Sequence, residues 1–168
     1  MKIALTGTPG TGKSTVAEMV GSGFVVIHVN DLIKEKYNTG LDEERNAWIA
    51  DISRLSRHVK KLKGDLILEG HVSHLLPVDT IIVLRTSPKT LKERLAARGW
   101  SEVKIRENIE AEALDVILCE AVDTNKKVYE IDTTNMTPMQ VKEAVLEIIK
   151  GTDKYQVGGV DFSEEAFL

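Results

Sequence analysis

The chain has 168 residues, a net charge of −4, and hydrophobic and charged fractions of 42 % and 29 %. These values suit one soluble domain with an ordinary core, and they exclude a basic whole-molecule footprint for nucleic acid. The apolar runs are too short for a membrane span, Met1 leads straight into a strand-like run with no room for a signal peptide, and the single Cys119 has no intrachain partner, so the cytoplasm is the expected compartment.

The first element is Ile3-Ala4-Leu5, which enters Gly7-Thr8-Pro9-Gly10-Thr11-Gly12-Lys13-Ser14 and leaves as helix-compatible Val16-Ala17-Glu18-Met19-Val20. This is the pattern G-x-x-x-x-G-K-[ST] in a strand-loop-helix context. Backbone N–H groups of such a loop surround phosphate oxygens, Lys13 bridges the β- and γ-phosphates, and the Ser14 hydroxyl holds Mg²⁺. A nucleoside triphosphate site follows.

Strands are predicted near 2–6, 25–29, 65–69, 80–85 and 127–131, separated by helix-period sequence. That alternation predicts a five-stranded parallel sheet with helices on both faces, an α/β P-loop three-layer sandwich in one domain. After the second strand, Asp31 is placed to cap a helix and Lys34 lies one turn inside it, where a second substrate would enter. A helix is expected from Trp48, with Trp48, Ile52, Leu55, Val59 and Leu62 as its buried stripe. Its other face carries Arg54, Arg57, His58, Lys60, Lys61 and Lys63, either simply solvated or in contact with phosphate or RNA.

The run Asp65-Leu66-Ile67-Leu68-Glu69 ends in a carboxylate at a strand's carboxyl end, the form of a Walker B strand. Glu69 there holds Mg²⁺ through water or orients an acceptor, or else merely closes the strand. His71 and His74 are too few for a zinc site. His71 reads as a group near the γ-phosphate that positions water or substrate, or as an uncommitted loop histidine.

Ser87 and Pro88 suit a helix N-cap and first position. On that helix Arg94 and Arg98 share a face, either over the phosphates or paired with Glu93 or Glu102. The corner Arg98-Gly99-Trp100 leads to one long helix expected from Ser101 to Val122, with Ile105, Ile109, Ala113 and Val116 as its core stripe, so the two form a flap. The last helix starts at Thr137-Pro138-Met139-Gln140, a capping-box pattern, and stops at Gly151. Residues 152–168 form a tail that docks through Tyr155, Phe162 or Phe167, or stays mobile.

The combination LTGTPGTGKST, VNDLIKEK, a strand ending in E-x-H, VLRTSPKTLKERLAARGW and KIRENIEAE resembles the adenylate kinase isoenzyme 6 family over about residues 1–150. The tail KYQVGGVDFSEEAFL is similar to the C-terminal extension of archaeal members. The resemblance implies a nucleoside monophosphate kinase (ATP + AMP = 2 ADP) with ATPase activity and a role in small-ribosomal-subunit maturation and rRNA processing, through a ribosomal protein of the uS11 type.

It further implies that Gly10, Thr11, Gly12, Lys13, Ser14, Thr15 and Arg98 bind ATP. Asp31 and Lys34 would serve an acceptor region of about 28–53, and the lid would run over about 98–108. The catalytic set is then Lys13, Glu69, His71, Arg94 and Arg98, with Ser14 and Glu69 for Mg²⁺. The acceptor is AMP or dAMP, and no membrane partner is expected. Two positions depart from the family pattern. Glu69 stands for its aspartate, one methylene longer, and Lys34 stands where adenylate kinases commonly place an arginine, giving up a bidentate fork. A nucleotide-switched assembly factor and a small-metabolite kinase are the alternative functions.

Overall fold

Five strands with apolar residues on both faces build the central sheet in this computed structural model, which describes residues 1–21 and 23–166. They are β1 (Lys2–Thr6), β2 (Val25–His28), and, after a separate hairpin β3 (Asn38–Asp42) and β4 (Ala47–Ala50), β5 (Leu66–Glu69), β6 (Thr80–Arg85) and β7 (Lys127–Asp132). The sheet is parallel in the order β2-β5-β1-β6-β7. The register sets Glu69 level with Leu5 and with His28, so three carboxyl ends meet at one edge.

Period-two alternation divides the core. Ile3, Leu5, Ile67, Ile82 and Leu84 face α1 (Lys13–Val20) and α7 (Pro138–Lys150). Ala4, Leu66, Leu68, Ile81 and Val83 face α2 (Val29–Glu35), α3 (Ile52–Lys61) and α6 (Val116–Asp123). A third cluster, Leu91, Leu95, Ile105 and Ile109 with Trp100 against it, holds α4 (Pro88–Ala97) to α5 (Glu102–Ala113). Caps act where expected: the Ser87 hydroxyl accepts from the Thr90 N–H, and Thr137 with Gln140 forms a full capping box.

Three expectations are corrected. Trp48 does not begin a helix. It sits in β4, cross-strand from Leu41 and 43 % exposed, and α3 starts only after Asp51, whose carboxylate accepts from the Arg54 N–H. Asp31 lies within the first turn of α2, whose N-cap is His28. The helix expected over 101–122 is two helices, broken at Asp115, which has φ 56°, and Val116 is 40 % exposed rather than core. At the break, Arg85 Nη2 donates to the Glu112 carbonyl, which also accepts the Asp115 N–H at 3.2 Å, and to the Asp115 carboxylate, so a tertiary contact clasps the corner.

The tail docks along β7. The Tyr155 carbonyl accepts from the Glu130 N–H, the Gly158 N–H donates to Glu130 Oε2, and the Arg85 guanidinium lies 5.4 Å from the centroid of the Phe162 ring. Phe167 lies outside the described residues. Among the described residues, no helix is long and apolar enough to cross a membrane.

Candidate active site

The loop after β1 turns through Gly7 and Gly10, where nothing larger fits. At Gly7, with φ 144°, a Cβ would come within 2.4 Å of the Leu84 carbonyl oxygen. At Gly10, with φ 94°, it would press on Leu91 and Leu95 of α4. The loop and the first residues of α1, Gly12 to Thr15, line a cleft of about 780 Å³.

Lys13 is buried, and its Nζ donates to the Thr8 carbonyl at 3.0 Å. Loss of water lowers its pKa to about 8, against the pull of Glu69 and Glu112, while Arg98 pushes it further down. A cation held this far from water is stabilised by any anion that enters beside it. Ser14 and Thr15 are exposed at the cleft.

Glu69 is buried at the cleft floor, where His28 Nδ1 contacts its Oε2 at 2.8 Å and His28 Nε2 contacts Glu18 at 2.7 Å. The hydrogen bond to Glu69 first, and that to Glu18 second, raise the His28 pKa. His71 opens onto cleft solvent but is walled by protein. That burial and the Lys13 cation lower its pKa to about 4, leaving the ring neutral at pH 7. His74 does not reach the cleft. It is fully buried, with Nδ1 3.0 Å from the Thr6 hydroxyl and Nε2 2.8 Å from Glu120.

Arg94 and Arg98, four apart on α4, do separate things. Arg94 Nη1 donates to the Gly10 carbonyl at 3.0 Å, beside a hollow of about 130 Å³ that also meets Thr11, Thr15, Met136 and Pro138. Arg98 caps α4 and lines the main cleft near Lys13. Neither pairs with Glu93 or Glu102 among the described residues.

Across from the loop, Asp31 and Lys34 of α2 line the cleft, joined by Asn30. The regions expected at about 28–53 and 98–108 supply further cleft residues that the sequence did not single out as site residues: Arg45, Ala47 and Trp48, which stand on an unforeseen hairpin, and Trp100, Lys104 and Asn108 at the α4–α5 corner and on α5. The signals were present in Asp51 as an N-cap and in the turn residue Asn46, with φ 47°. The protein's two tryptophans thus both line one cleft, Trp48 from the hairpin and Trp100 from the α4–α5 corner, and Arg45 of the hairpin turn approaches Glu107 of α5 at 3.7 Å. The basic face of α3 points to solvent elsewhere; Arg54 lies 3.9 Å from Asp51, and His58 stacks on Tyr37.

Comparison with known proteins agrees with this geometry. Residues 3–115 match the family model described as AAA domain. A protein of Archaeoglobus fulgidus named "Putative adenylate kinase" is 49 % identical, with 98 % of this chain and 93 % of the relative covered. A relative of the same name from Pyrococcus abyssi is 43 % identical over 98 % of this chain and 92 % of its own. In fold, the chain is similar to a thymidylate kinase from Candida albicans, with TM-score 0.58, 18 % identity, and 89 % and 90 % of the two chains covered. The chain belongs to the family of these archaeal adenylate-kinase relatives, the P-loop nucleotide kinases of isoenzyme 6 type that its motifs resemble.

Proposed function

We propose that the chain is a nucleoside monophosphate kinase of adenylate kinase type, a single domain that moves the γ-phosphoryl group of ATP to AMP or dAMP. One observation carries the reading: a continuous cleft joins the phosphate loop and Lys13 to a second wall built by α2 and the β3–β4 hairpin. Two substrates therefore have room to meet with their phosphates in line.

The loop from Gly10 to Thr15 holds the donor phosphates, and its base takes the hollow beside Arg94, Met136 and Pro138. The Ser14 hydroxyl and the Glu69 carboxylate form a hard oxygen donor set at the cleft, which fits Mg²⁺, with Glu69 acting through water. When bound, that ion neutralises charge on the triphosphate. Lys34 receives the acceptor phosphate, Asp31 and Asn30 its polar edge, and Trp48 its base. Lys13 and Arg98 then flank the migrating group and stabilise its spread charge. Neutral His71 donates its ring N–H to an oxygen of the acceptor phosphate, or accepts from the water that attacks in hydrolysis. The lid over about 98–108 excludes water as it closes, and because it is short some hydrolysis accompanies transfer.

The test is ADP production from Mg-ATP alone and with each monophosphate in turn, beside a Lys13→Ala control. A several-fold rise with AMP or dAMP, absent in the control, supports the reading. Slow hydrolysis that no monophosphate stimulates overturns it in favour of a switch.

A second reading, an assembly factor acting on a uS11-type ribosomal protein and small-subunit rRNA, is favoured by exposed Arg54, Arg57, Lys60 and Lys61 on one face of α3, away from the cleft. Charge reversal at those four residues that leaves capture of such partners unchanged excludes that face.

A further inference from the structure

The buried carboxylate of Glu112 has no part in the reaction above, yet it is bonded to the phosphate loop. Its Oε2 accepts the Thr8 hydroxyl at 2.5 Å, and its Oε1 accepts Arg85 Nε at 2.8 Å and the Thr86 N–H at 3.1 Å. Arg85 continues the network to the Glu112 carbonyl, to Asp115 and to Glu130, whose other oxygen accepts the Gly158 N–H of the tail. Thr8 in turn holds the loop, because its carbonyl accepts both Lys13 Nζ at 3.0 Å and the Thr11 hydroxyl at 2.9 Å.

For stability alone, apolar residues of similar volume commonly serve as well as a buried ionic group. The distinctive consequence of this network is geometric. A side chain at the end of α5, 104 residues along the chain from Thr8, sets where the loop's second residue stands. The same helix α5 carries Lys104 and Asn108 on the cleft wall.

We propose that Glu112 is a positioning residue for the phosphate loop: through the Thr8 hydroxyl it fixes the carbonyl that aims Lys13, and through Arg85 it ties that loop to the α5–α6 corner. The inference rests on the donor-site reading above and deepens it. The effect belongs to the donor side, since Thr8 and Glu112 bond the loop and neither bonds α2 or the hairpin.

The experiment measures Mg-ATP binding by calorimetry, and KM for each substrate, in the wild type and in T8V, T8S, E112Q and T8V/E112Q. Losing a hydrogen bond to a buried charge weakens Mg-ATP binding roughly tenfold or more in T8V. T8S, which keeps the hydroxyl, binds within about twofold of wild type, and acceptor KM moves less than about twofold throughout. The double variant is no weaker than the weaker single, as for one shared contact. Wild-type affinity in T8V, or losses that multiply in the double variant, overturns the proposal. Should E112Q fail to fold, T8V and T8S decide alone, because both leave the Arg85–Glu112 pair in place. A wild-type protein that binds no Mg-ATP overturns the donor reading itself, an outcome distinct from an unaffected T8V.

Discussion

Lys13 Nζ donates to the Thr8 carbonyl oxygen 3.0 Å away, so the loop itself holds its buried cation. Burial lowers this lysine from 10.5 to about 8. In the free protein it therefore starts to lose its charge near pH 8, and KM for Mg-ATP, flat at neutral pH, rises by about tenfold per unit well above pH 8. The sign for stability is opposite. Between about 8 and 10.5 the unfolded chain binds the proton that the folded chain has lost, so this group makes the free protein more stable as pH rises. Initial rates and melting curves over the same pH series check both directions.

Lys34 lines the cleft as a flexible point charge on the last turn of α2. Lys34→Arg supplies a planar fork that grips an acceptor phosphate bidentately, and is expected to lower KM for AMP about three- to tenfold. Lys34→Ala raises it by roughly tenfold, at unchanged KM for ATP. Steady-state kinetics with AMP varied at saturating ATP measure both.

Trp48 stands half-exposed on the hairpin wall, cross-strand from Leu41. Removing an aromatic platform costs about 0.5–1.5 kcal/mol of stacking, so Trp48→Ala raises KM for the acceptor roughly two- to tenfold, while Trp48→Phe recovers most of it. Both tryptophans line the cleft, so intrinsic fluorescence of the wild type responds to AMP, and Trp48→Phe removes that part of the response.

His74 is buried between Thr6 and Glu120, and desolvation, the largest effect, lowers its pKa below 6.5 against the pull of Glu120. The neutral ring accepts from the Thr6 hydroxyl at Nδ1 and donates from Nε2 to Glu120. As pH falls through 6.5 the unfolded chain takes up a proton that the folded chain resists, so folding stability from this group declines with acidification. His28 acts oppositely: its folded pKa is raised, and its contribution is full below 6.5 and is lost as pH rises through the folded value. Melting of His74→Gln between pH 7.5 and 5 is expected to show a shallower acid decline than wild type.

The phosphate loop, the buried central strands β1, β5 and β6, and the caps at Ser87 and Thr137 were legible because each is a demand made within a few residues. A loop that closes on phosphate needs glycine at Gly7 and Gly10, a strand buried on both faces must be apolar throughout, and an N-cap needs an oxygen three residues before the N–H it satisfies. Periodicity misled at Trp48 because its spacing to Ile52 and Leu55 matches a helix face, whereas strand pairing with Leu41 claims the residue first. The break at Asp115 carries only a weak local signal, since aspartate tolerates the left-handed region but neither glycine nor proline stands beside it. What clasps the corner is Arg85, 30 residues earlier, bonded to the Glu112 carbonyl and the Asp115 carboxylate. Chain order determined that a triphosphate loop begins this protein. Tertiary structure alone decided that Arg94 grips Gly10, that Trp48 and Trp100 line one cleft, and that Glu112 holds Thr8, because each relation joins segments that only the folded sheet brings together.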